Sequence, residues 1–91
     1  MRIVHLIWDE DNVLHIARHG VDPEEAEETC FNRRPFIERG RDGLYYISGQ
    51  TETGRRLFVV VRFLGRGAAR VITARDMDHK ERRRYKRRKG V

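Results

Sequence analysis

The feature that most constrains the fold is an apolar run at residues 57–61, which read Leu-Phe-Val-Val-Val. A run of this length, rich in β-branched residues, is typical of a strand buried on both faces, so it predicts the central strand of a sheet. Gly65-Arg66-Gly67 follows as a turn, and residues 69–74 then alternate as a second strand. Two such runs joined by a glycine-containing turn predict a β-hairpin. The core is therefore expected to be built on this hairpin.

Three more strands are predicted, at residues 3–8, 35–38 and 44–48. Successive residues of a strand point to opposite faces, so Tyr45 and Tyr46 are expected on different faces of the sheet. Residues 51–54, Thr-Glu-Thr-Gly, are predicted to form the turn into the central strand.

Three helices are predicted from their start and stop signals. The first spans about 10–19, with N-cap residues before it and Gly20 after it. The second, at about 23–31, has the clearest start, because Asp22 can cap, Pro23 suits the first helical position and Glu25 has capping-box spacing. Asp78-His79-Lys80-Glu81 repeats that spacing and opens a basic helix to about residue 89. The order predicts an α+β fold: an antiparallel meander with two N-terminal helices and a basic C-terminal helix.

The charge is distributed unevenly along the chain. The 91 residues, a length suited to a single domain spanning 1–91, carry a net charge of +6. Residues 1–40 carry −4 and residues 41–91 carry +10. A domain with one strongly basic half is typical of a polyanion-binding protein. The alternative is that the basic half is a solvated surface with no nucleic-acid partner.

The cysteine count and the apolar pattern indicate the compartment. Cys30 is the only cysteine, so no intrachain disulfide can form, and it is expected to be a small buried apolar residue. The N-terminus lacks the charged and apolar regions of a signal peptide, and no apolar run approaches a membrane span. These features predict a cytosolic protein without a membrane partner.

Several motifs, taken in chain order, resemble one bacterial protein family. They are Trp8-Asp9-Glu10 with Asn12, Arg18-His19-Gly20-Val21, Glu24-Glu25-Ala26, Gly49, the strand at 57–61, Arg70-Val71-Ile72-Thr73-Ala74-Arg75, Lys80-Glu81-Arg82 and Tyr85. Their order and spacing resemble those of the BrnT branch of the RelE-like toxins over nearly the whole chain. Many members carry a Glu-Arg pair just before the strand that leads to the glycine, whereas this chain has Asp42-Gly43 there and Arg41 upstream.

The resemblance implies a RelE-like fold, in which an antiparallel sheet is flanked by helices. It also implies the toxin of a type II toxin–antitoxin pair, a metal-independent endoribonuclease that inhibits translation by cleaving RNA, free or on the ribosome. A BrnA-type DNA-binding antitoxin is the implied partner, in a higher-order toxin–antitoxin complex. No cofactor is implied.

Cleavage of RNA by its own 2′-oxygen needs a positioned acid or base and cations that stabilise the charge on phosphate. Arg75 is the first catalytic candidate, since it ends a strand just before the basic helix; an ion pair with Asp76, Asp78 or Glu81 is the alternative. Arg62 interrupts an apolar strand, which indicates either a catalytic cation or the point where the strand leaves the core. His19 is the candidate acid or base, because imidazole titrates near neutral pH, or else a residue that ends a helix.

Other side chains are candidates for substrate binding. They are Arg55, Arg56, Arg70, Trp8, Tyr85, Lys80, Arg82 and Arg83. For Arg55 and Arg56 the alternative is solubility of a hairpin, and for Trp8 and Tyr85 it is packing in the core. His15 and His19 have a zinc-compatible spacing, but without a further ligand motif no metal site is predicted.

Two other functions fit the charge pattern. One is a basic nucleic-acid-binding module without catalysis, and the other is a protein-interaction domain whose basic face binds an acidic partner. Loss of cleavage with little loss of binding in Arg75→Ala distinguishes the ribonuclease from the binding module.

Overall fold

The computed structural model describes residues 2–32 and 34–89. Its elements are β1 (His5–Ile7), α1 (Glu10–Ala17), α2 (Pro23–Phe31), β2 (Phe36–Arg39), β3 (Leu44–Gln50), β4 (Arg56–Gly65), β5 (Ala68–Asp76) and α3 (His79–Lys89). The predicted helices and strands are all present. The first strand is shorter than the predicted 3–8, and the hairpin of β4 and β5 is longer because its turn is confined to Arg66 and Gly67.

The sheet has five strands in the order β1-β5-β4-β3-β2, so the apolar run lies on the central strand, as predicted. Strands β2 to β5 form the predicted antiparallel meander. Strand β1 departs from the purely antiparallel prediction, since it pairs in parallel with β5. After β1, the chain forms both N-terminal helices and strands β2 to β4 before β5 pairs with β1. This crossover makes the parallel direction possible.

The helix starts follow the capping signals in the sequence. Asp22 caps α2, accepting from the backbone N–H of Glu25, while the Glu25 side chain accepts from the backbone N–H of Asp22. Asp9 and Asn12 form the equivalent box at α1. Asp78 and Glu81 form reciprocal hydrogen bonds of 2.8 and 2.9 Å at α3. These contacts satisfy backbone donors that a helix start otherwise leaves unpaired.

The core lies between one face of the sheet and the first two helices. Its fully buried side chains include Ile16 of α1, Ile47 of β3 and Val59 of β4. Helix α2 approaches β3 closely at Gly49, where an added Cβ would lie 2.6 Å from the backbone oxygen of Thr29. The two helices therefore cover the centre of this face.

The opposite face of the sheet is only partly covered. Strand alternation places Tyr46 and Ser48 on this face, and Tyr45 packs on the core side against Phe63, as the alternation predicts. Helix α3 lies over this face but buries only Tyr85, which is 4% exposed. In the described part of the chain, no helix is long and apolar enough to cross a membrane.

Candidate functional site

Three arginines project from the partly covered face of the sheet. Arg62 of β4 lies opposite Arg70 of β5, and Arg75 lies opposite Phe58. Directly opposed residues of antiparallel strands share a face, and Phe58 and Arg62 are four residues apart on β4, so the three arginine side chains lie on the same side. The register shift between β4 and β5 places the extra residue on β5, between Arg70 and Arg75. Arg70 and Arg75 are about 17 Å apart along β5 at the usual strand rise. We call Arg62, Arg70 and Arg75 the arginine face.

Arg75 lies where the arginine face meets α3. Its guanidinium donates to both carboxylate oxygens of Glu81 at 2.8 and 2.9 Å and to the backbone oxygen of Asp76 at 3.0 Å. It also lies over the Phe58 ring, 4.7 Å from the centroid. The Glu81 hydrogen bonds raise the pKa of Arg75 against the effect of partial burial. The ion pair that the sequence offered as an alternative for Arg75 is therefore present, with 36% of the side chain exposed.

Arg62 and Arg70 are held at the other end of the arginine face. Arg62 donates to the backbone oxygen of Asp42 at 2.7 Å, and its side chain is exposed. Arg70 pairs with Asp9, the residue that caps α1. The hydrogen bond from Arg70 lowers the pKa of Asp9, which keeps this carboxylate ionised. Both guanidinium groups thus sit at the surface in fixed positions.

Two histidines flank the arginine face at the edge of β5. Strand β1 pairs with β5 only as far as Arg70, so α1 borders the edge beyond it. There Nε2 of His15 lies 3.1 Å from the Thr73 hydroxyl oxygen. The His19 ring lies 5.5 Å from the His15 ring, nearly at right angles, and both histidines are exposed. His19 therefore lies near the arginine face, with His15 between them. From the sequence, His15 was discussed only as a possible zinc ligand.

Arg55 lies away from this face in an ion-pair network. It donates to Asp76 at 2.9 and 3.2 Å, to Glu25 at 3.0 and 3.1 Å and to the backbone oxygen of Gly20 at 2.7 Å. The network joins the start of α2 and the loop before it to the end of β5. Its hydrogen bond to Asp76 raises the pKa of Arg55 and lowers that of Asp76. A role of Arg55 in RNA binding stays a prediction. Its observed hydrogen bonds give the side chain a structural role in joining α2 to β5.

Arg55→Met is expected to lower the free energy of unfolding by about 1–2 kcal/mol at neutral pH, since charged hydrogen bonds that are partly exposed are lost. The pKa of Asp76 is lower in the folded state than its ordinary 3.8. The stabilisation that ionised Asp76 provides is therefore complete above pH 3.8. It is lost as the pH falls through the lower pKa of Asp76 in the folded state. Urea unfolding of both proteins near pH 7 and near pH 3 should show a smaller difference at acid pH. An equal difference at both would contradict an ionic origin.

Trp8 and Tyr85 both have packing roles. The Trp8 indole donates to Glu27 at 2.9 Å, and the ring packs against the core on the α1 and α2 side. Tyr85 packs edge-on against Phe36, and its hydroxyl lies 3.4 Å from Oε1 of Gln50. RNA stacking by either ring remains a prediction, and the packing that was its alternative is observed.

The remaining predicted cations lie on or beside α3. Lys80, Arg82 and Arg83 are exposed on the helix, where they can reach a bound polyanion. Arg56 lies opposite Gln50, and its Nε is buried with no hydrogen-bond partner among the described residues. These four side chains extend the positive surface beyond the arginine face.

A groove that was not predicted from the sequence lies between α3 and the sheet. It has a volume of about 220 Å³, and its aromatic lining comes from Phe36, Tyr46, Phe58 and Tyr85. The alternation that separates Tyr45 from Tyr46 also puts Ser48 on the groove side. This pattern in the sequence could have indicated which residues line that face of the sheet. The position of α3 over these residues depends on contacts distant in sequence, so the groove itself could not be predicted.

The possible metal ligands and the single cysteine are the remaining reactive groups. Among the described residues, no three His, Cys, Asp or Glu side chains converge as a metal site requires. Burial raises the pKa of Cys30 to about 12, with a further contribution from the charge of Glu27. Cys30 is therefore a protonated thiol, and its burial confirms the predicted small buried residue.

The fold and the site define a small α+β protein whose exposed sheet face and terminal helix are arginine-rich, an arrangement suited to a polyanion. The chain belongs to the BrnT family, because the family model for "Ribonuclease toxin, BrnT, of type II toxin-antitoxin system" matches residues 8–81. The resemblance seen in the sequence is thus confirmed.

The fold is similar to the crystal structure of the Brucella abortus ribonuclease toxin BrnT. The TM-score is 0.65 with 23% sequence identity, over 87% of this chain and 99% of that chain. At this identity the comparison establishes the fold, and it confirms the predicted α+β class. Among curated proteins, the chain has no significant match.

Proposed function

We propose that the chain is a cytosolic endoribonuclease toxin that cleaves RNA without a metal ion, inhibits translation and is neutralised by a BrnA-type antitoxin. Membership of the BrnT family supports ribonuclease activity, an RNA substrate and an antitoxin partner. The proposed mechanism rests mainly on one observation. Arg62, Arg70 and Arg75 share an accessible face of the sheet, with His15 and His19 at its edge.

The proposed reaction is attack of a ribose 2′-oxygen on the adjacent phosphorus. The 2′-O–P bond forms and the P–O5′ bond breaks, which yields a 2′,3′-cyclic phosphate and a 5′-hydroxyl. The 2′-hydroxyl proton passes to a base, and the 5′-oxygen takes a proton from an acid. His19, with His15 beside it, is the proposed acid or base in these proton transfers, because an imidazole is an effective proton donor and acceptor near neutral pH.

Arg75 is the proposed stabiliser of the developing charge on phosphate. Its planar fork already holds two carboxylate oxygens of Glu81, a geometry that also suits two phosphate oxygens. The Arg75 side chain is 36% exposed, so a phosphate can approach its guanidinium beside Glu81. Arg62 and Arg70 are then placed to contact flanking phosphates toward the other end of β5.

The products and the nucleophile can be tested directly. The sites at which the purified protein cuts a defined RNA are mapped, and the RNA is then prepared with a 2′-deoxy residue at one of them. We expect cyclic-phosphate ends and loss of cleavage at the substituted site alone. Cleavage that persists there with a 5′-phosphate product would contradict the proposed reaction. Binding without any cleavage would favour the non-catalytic binding module.

Glu81→Gln is expected to tighten RNA binding about two- to fivefold at low salt, because a partly exposed ion pair of this kind is worth up to about 1 kcal/mol. Glutamine can still accept the hydrogen bond from the backbone N–H of Asp78, so the capping box is retained. The variant removes only the charge that competes with phosphate for Arg75. Fluorescence anisotropy with labelled RNA at several salt concentrations measures the change, which screening should reduce.

Glu25→Gln provides the matched control. Glu25 is also a capping-box residue paired with an arginine, but it lies on α2 beside Arg55. Its loss should leave RNA affinity unchanged. Equal tightening by both variants would show that net charge, rather than access to Arg75, controls binding.

The antitoxin is proposed to cover the arginine face with acidic or polar groups. The face already binds carboxylates of the chain itself, at Arg70 with Asp9 and at Arg75 with Glu81. A partner that presents carboxylates there would neutralise the same guanidinium groups that RNA needs. Competition between the antitoxin and RNA for the wild-type protein is the expected result of a binding assay.

A further inference from the structure

We infer that the groove beneath α3 binds one unstacked nucleobase of a single-stranded RNA. The inference rests on the proposed RNA substrate and deepens it by naming a subsite. The aromatic lining of the groove consists of Phe36, Tyr46, Phe58 and Tyr85. Its four charged residues are Arg84, Arg88, Glu38 and Glu81, and each glutamate is paired with arginine. Aromatic rings flanked by cations are the usual means by which proteins hold single-stranded nucleic acid.

The groove exists because α3 makes few apolar contacts with the sheet. Tyr85 is the one buried residue among those described in the helix. Arg84 and Arg88 instead bind Glu38 of β2 at 2.9 and 2.8 Å, and they form one wall of the groove. Partial burial acts to raise the pKa of Glu38, but these two arginines outweigh it and lower the pKa. The helix is thus held by ionic contacts above rings that it does not fully cover.

The aromatic lining has one ring free of a covering cation among the described residues. Arg75 lies over Phe58, Arg88 lies 5.4 Å from the centroid of Phe36, and Lys89 lies 5.7 Å from the centroid of Tyr85. Tyr46 has no such cation and contacts Phe58 at a ring separation of 5.5 Å, tilted by 45°. Tyr46 is therefore the ring on which a planar ligand can stack.

Gly40 leaves room for the Tyr46 ring. A Cβ built at Gly40 would collide with Cζ of Tyr46 and lie 2.8 Å from its hydroxyl oxygen. The ring thus occupies space that exists only because residue 40 has no side chain. The tyrosine ring therefore lies against Gly40 on the second face of the sheet, beside the groove.

The size of the groove and the arginine beside it agree with a base attached to a phosphate chain. Its volume of about 220 Å³ is below the ~300–1,000 Å³ of sites that enclose a complete small ligand. A single ring system fits that space better than a whole nucleotide does. Arg75 stands at the same end of the sheet, where the phosphate next to the bound base can reach it. The Ser48 hydroxyl, on the groove wall, makes no hydrogen bond within the described residues and is available to a base edge.

The test uses a 2′-fluoro RNA of about ten nucleotides, within the site sizes of single-strand-binding domains. This RNA lacks the 2′-hydroxyl, so binding is measured whether or not the protein is a nuclease. An abasic residue is placed at each position in turn. At one position, loss of the base should weaken binding to the wild-type protein about 5- to 100-fold, as expected for loss of one stacked base.

Tyr46→Leu should bind the intact RNA as weakly as the wild-type protein binds the abasic one, and the abasic residue should then cost almost nothing more. Tyr46→Phe should retain the wild-type response, while Gly40→Ala should reduce it by displacing the ring. Thermal unfolding checks that each variant is folded. The inference is overturned if no position responds to base removal, or if base removal is as costly in Tyr46→Leu as in the wild type. Loss of antitoxin binding alone in Tyr46→Leu would also overturn it and indicate a protein-binding groove.

Discussion

Arg75→Ala is expected to lower the rate of RNA cleavage about 10²- to 10³-fold, the usual effect of removing one fixed donor that stabilises transition-state charge. RNA binding should weaken only slightly, because Arg75 is one cation among many on this side of the protein. Arg75→Lys should recover part of the rate, since the charge returns without the planar fork. Single-turnover rates at saturating protein separate the effect on chemistry from the effect on binding.

Two controls make this prediction specific. Arg2→Ala removes the same charge from an exposed side chain near β1 and should leave the rate unchanged. Arg75→Ala also leaves Glu81 unpaired beside the proposed site, where its charge could repel RNA. The double variant Arg75→Ala with Glu81→Gln should therefore stay slow. If the second substitution restores cleavage, the loss arises from repulsion by Glu81, and Arg75 does not act on the phosphate.

Gly49→Ala is expected to destabilise the fold by about 3 kcal/mol, at the upper end of the range for overpacked cores. The new Cβ would lie 2.6 Å from the backbone oxygen of Thr29 and 3.3 Å from Cβ of Pro35. Thr29 is fully buried, so α2 has to move away from β3 to accommodate the methyl group. For a domain of this size the midpoint of thermal unfolding should fall by roughly 12–24 °C.

Gly40→Ala is the comparison for this effect. Its added methyl also meets a close neighbour, but that neighbour is the end of the Tyr46 side chain, which can rotate. The loss of stability should therefore be clearly smaller than for Gly49→Ala. Equal losses in calorimetry would contradict the view that the rigid helix contact sets the cost at Gly49.

Local signals in the sequence predicted most of the secondary structure. Asp22, Pro23 and Glu25 define the start of α2, and the observed helix Pro23–Phe31 coincides with the predicted one because these signals act within one turn. Strand alternation likewise separated Tyr45 from Tyr46 correctly. The parallel pairing of β1 with β5 was not predictable in this way, since it joins segments at opposite ends of the chain.

The candidate site was predicted where its contacts are local and missed where they are distant. Arg75 and Glu81 are six residues apart, and their pairing was foreseen as an alternative. Arg55 meets Glu25 across 30 residues, and His15 meets Thr73 across 58. No spacing rule of a strand or helix relates positions so far apart. The resemblance in the sequence identified the BrnT family, but it did not show which arginines are already paired in the fold.

The most direct test of the central claim is the incubation of the purified protein with a defined RNA in excess chelator, with and without ribosomes. We expect cleavage in chelator under at least one of these conditions, with 2′,3′-cyclic phosphate ends. RNA that is bound but stays intact under both conditions would contradict this expectation and identify the chain as a binding module on a ribonuclease fold.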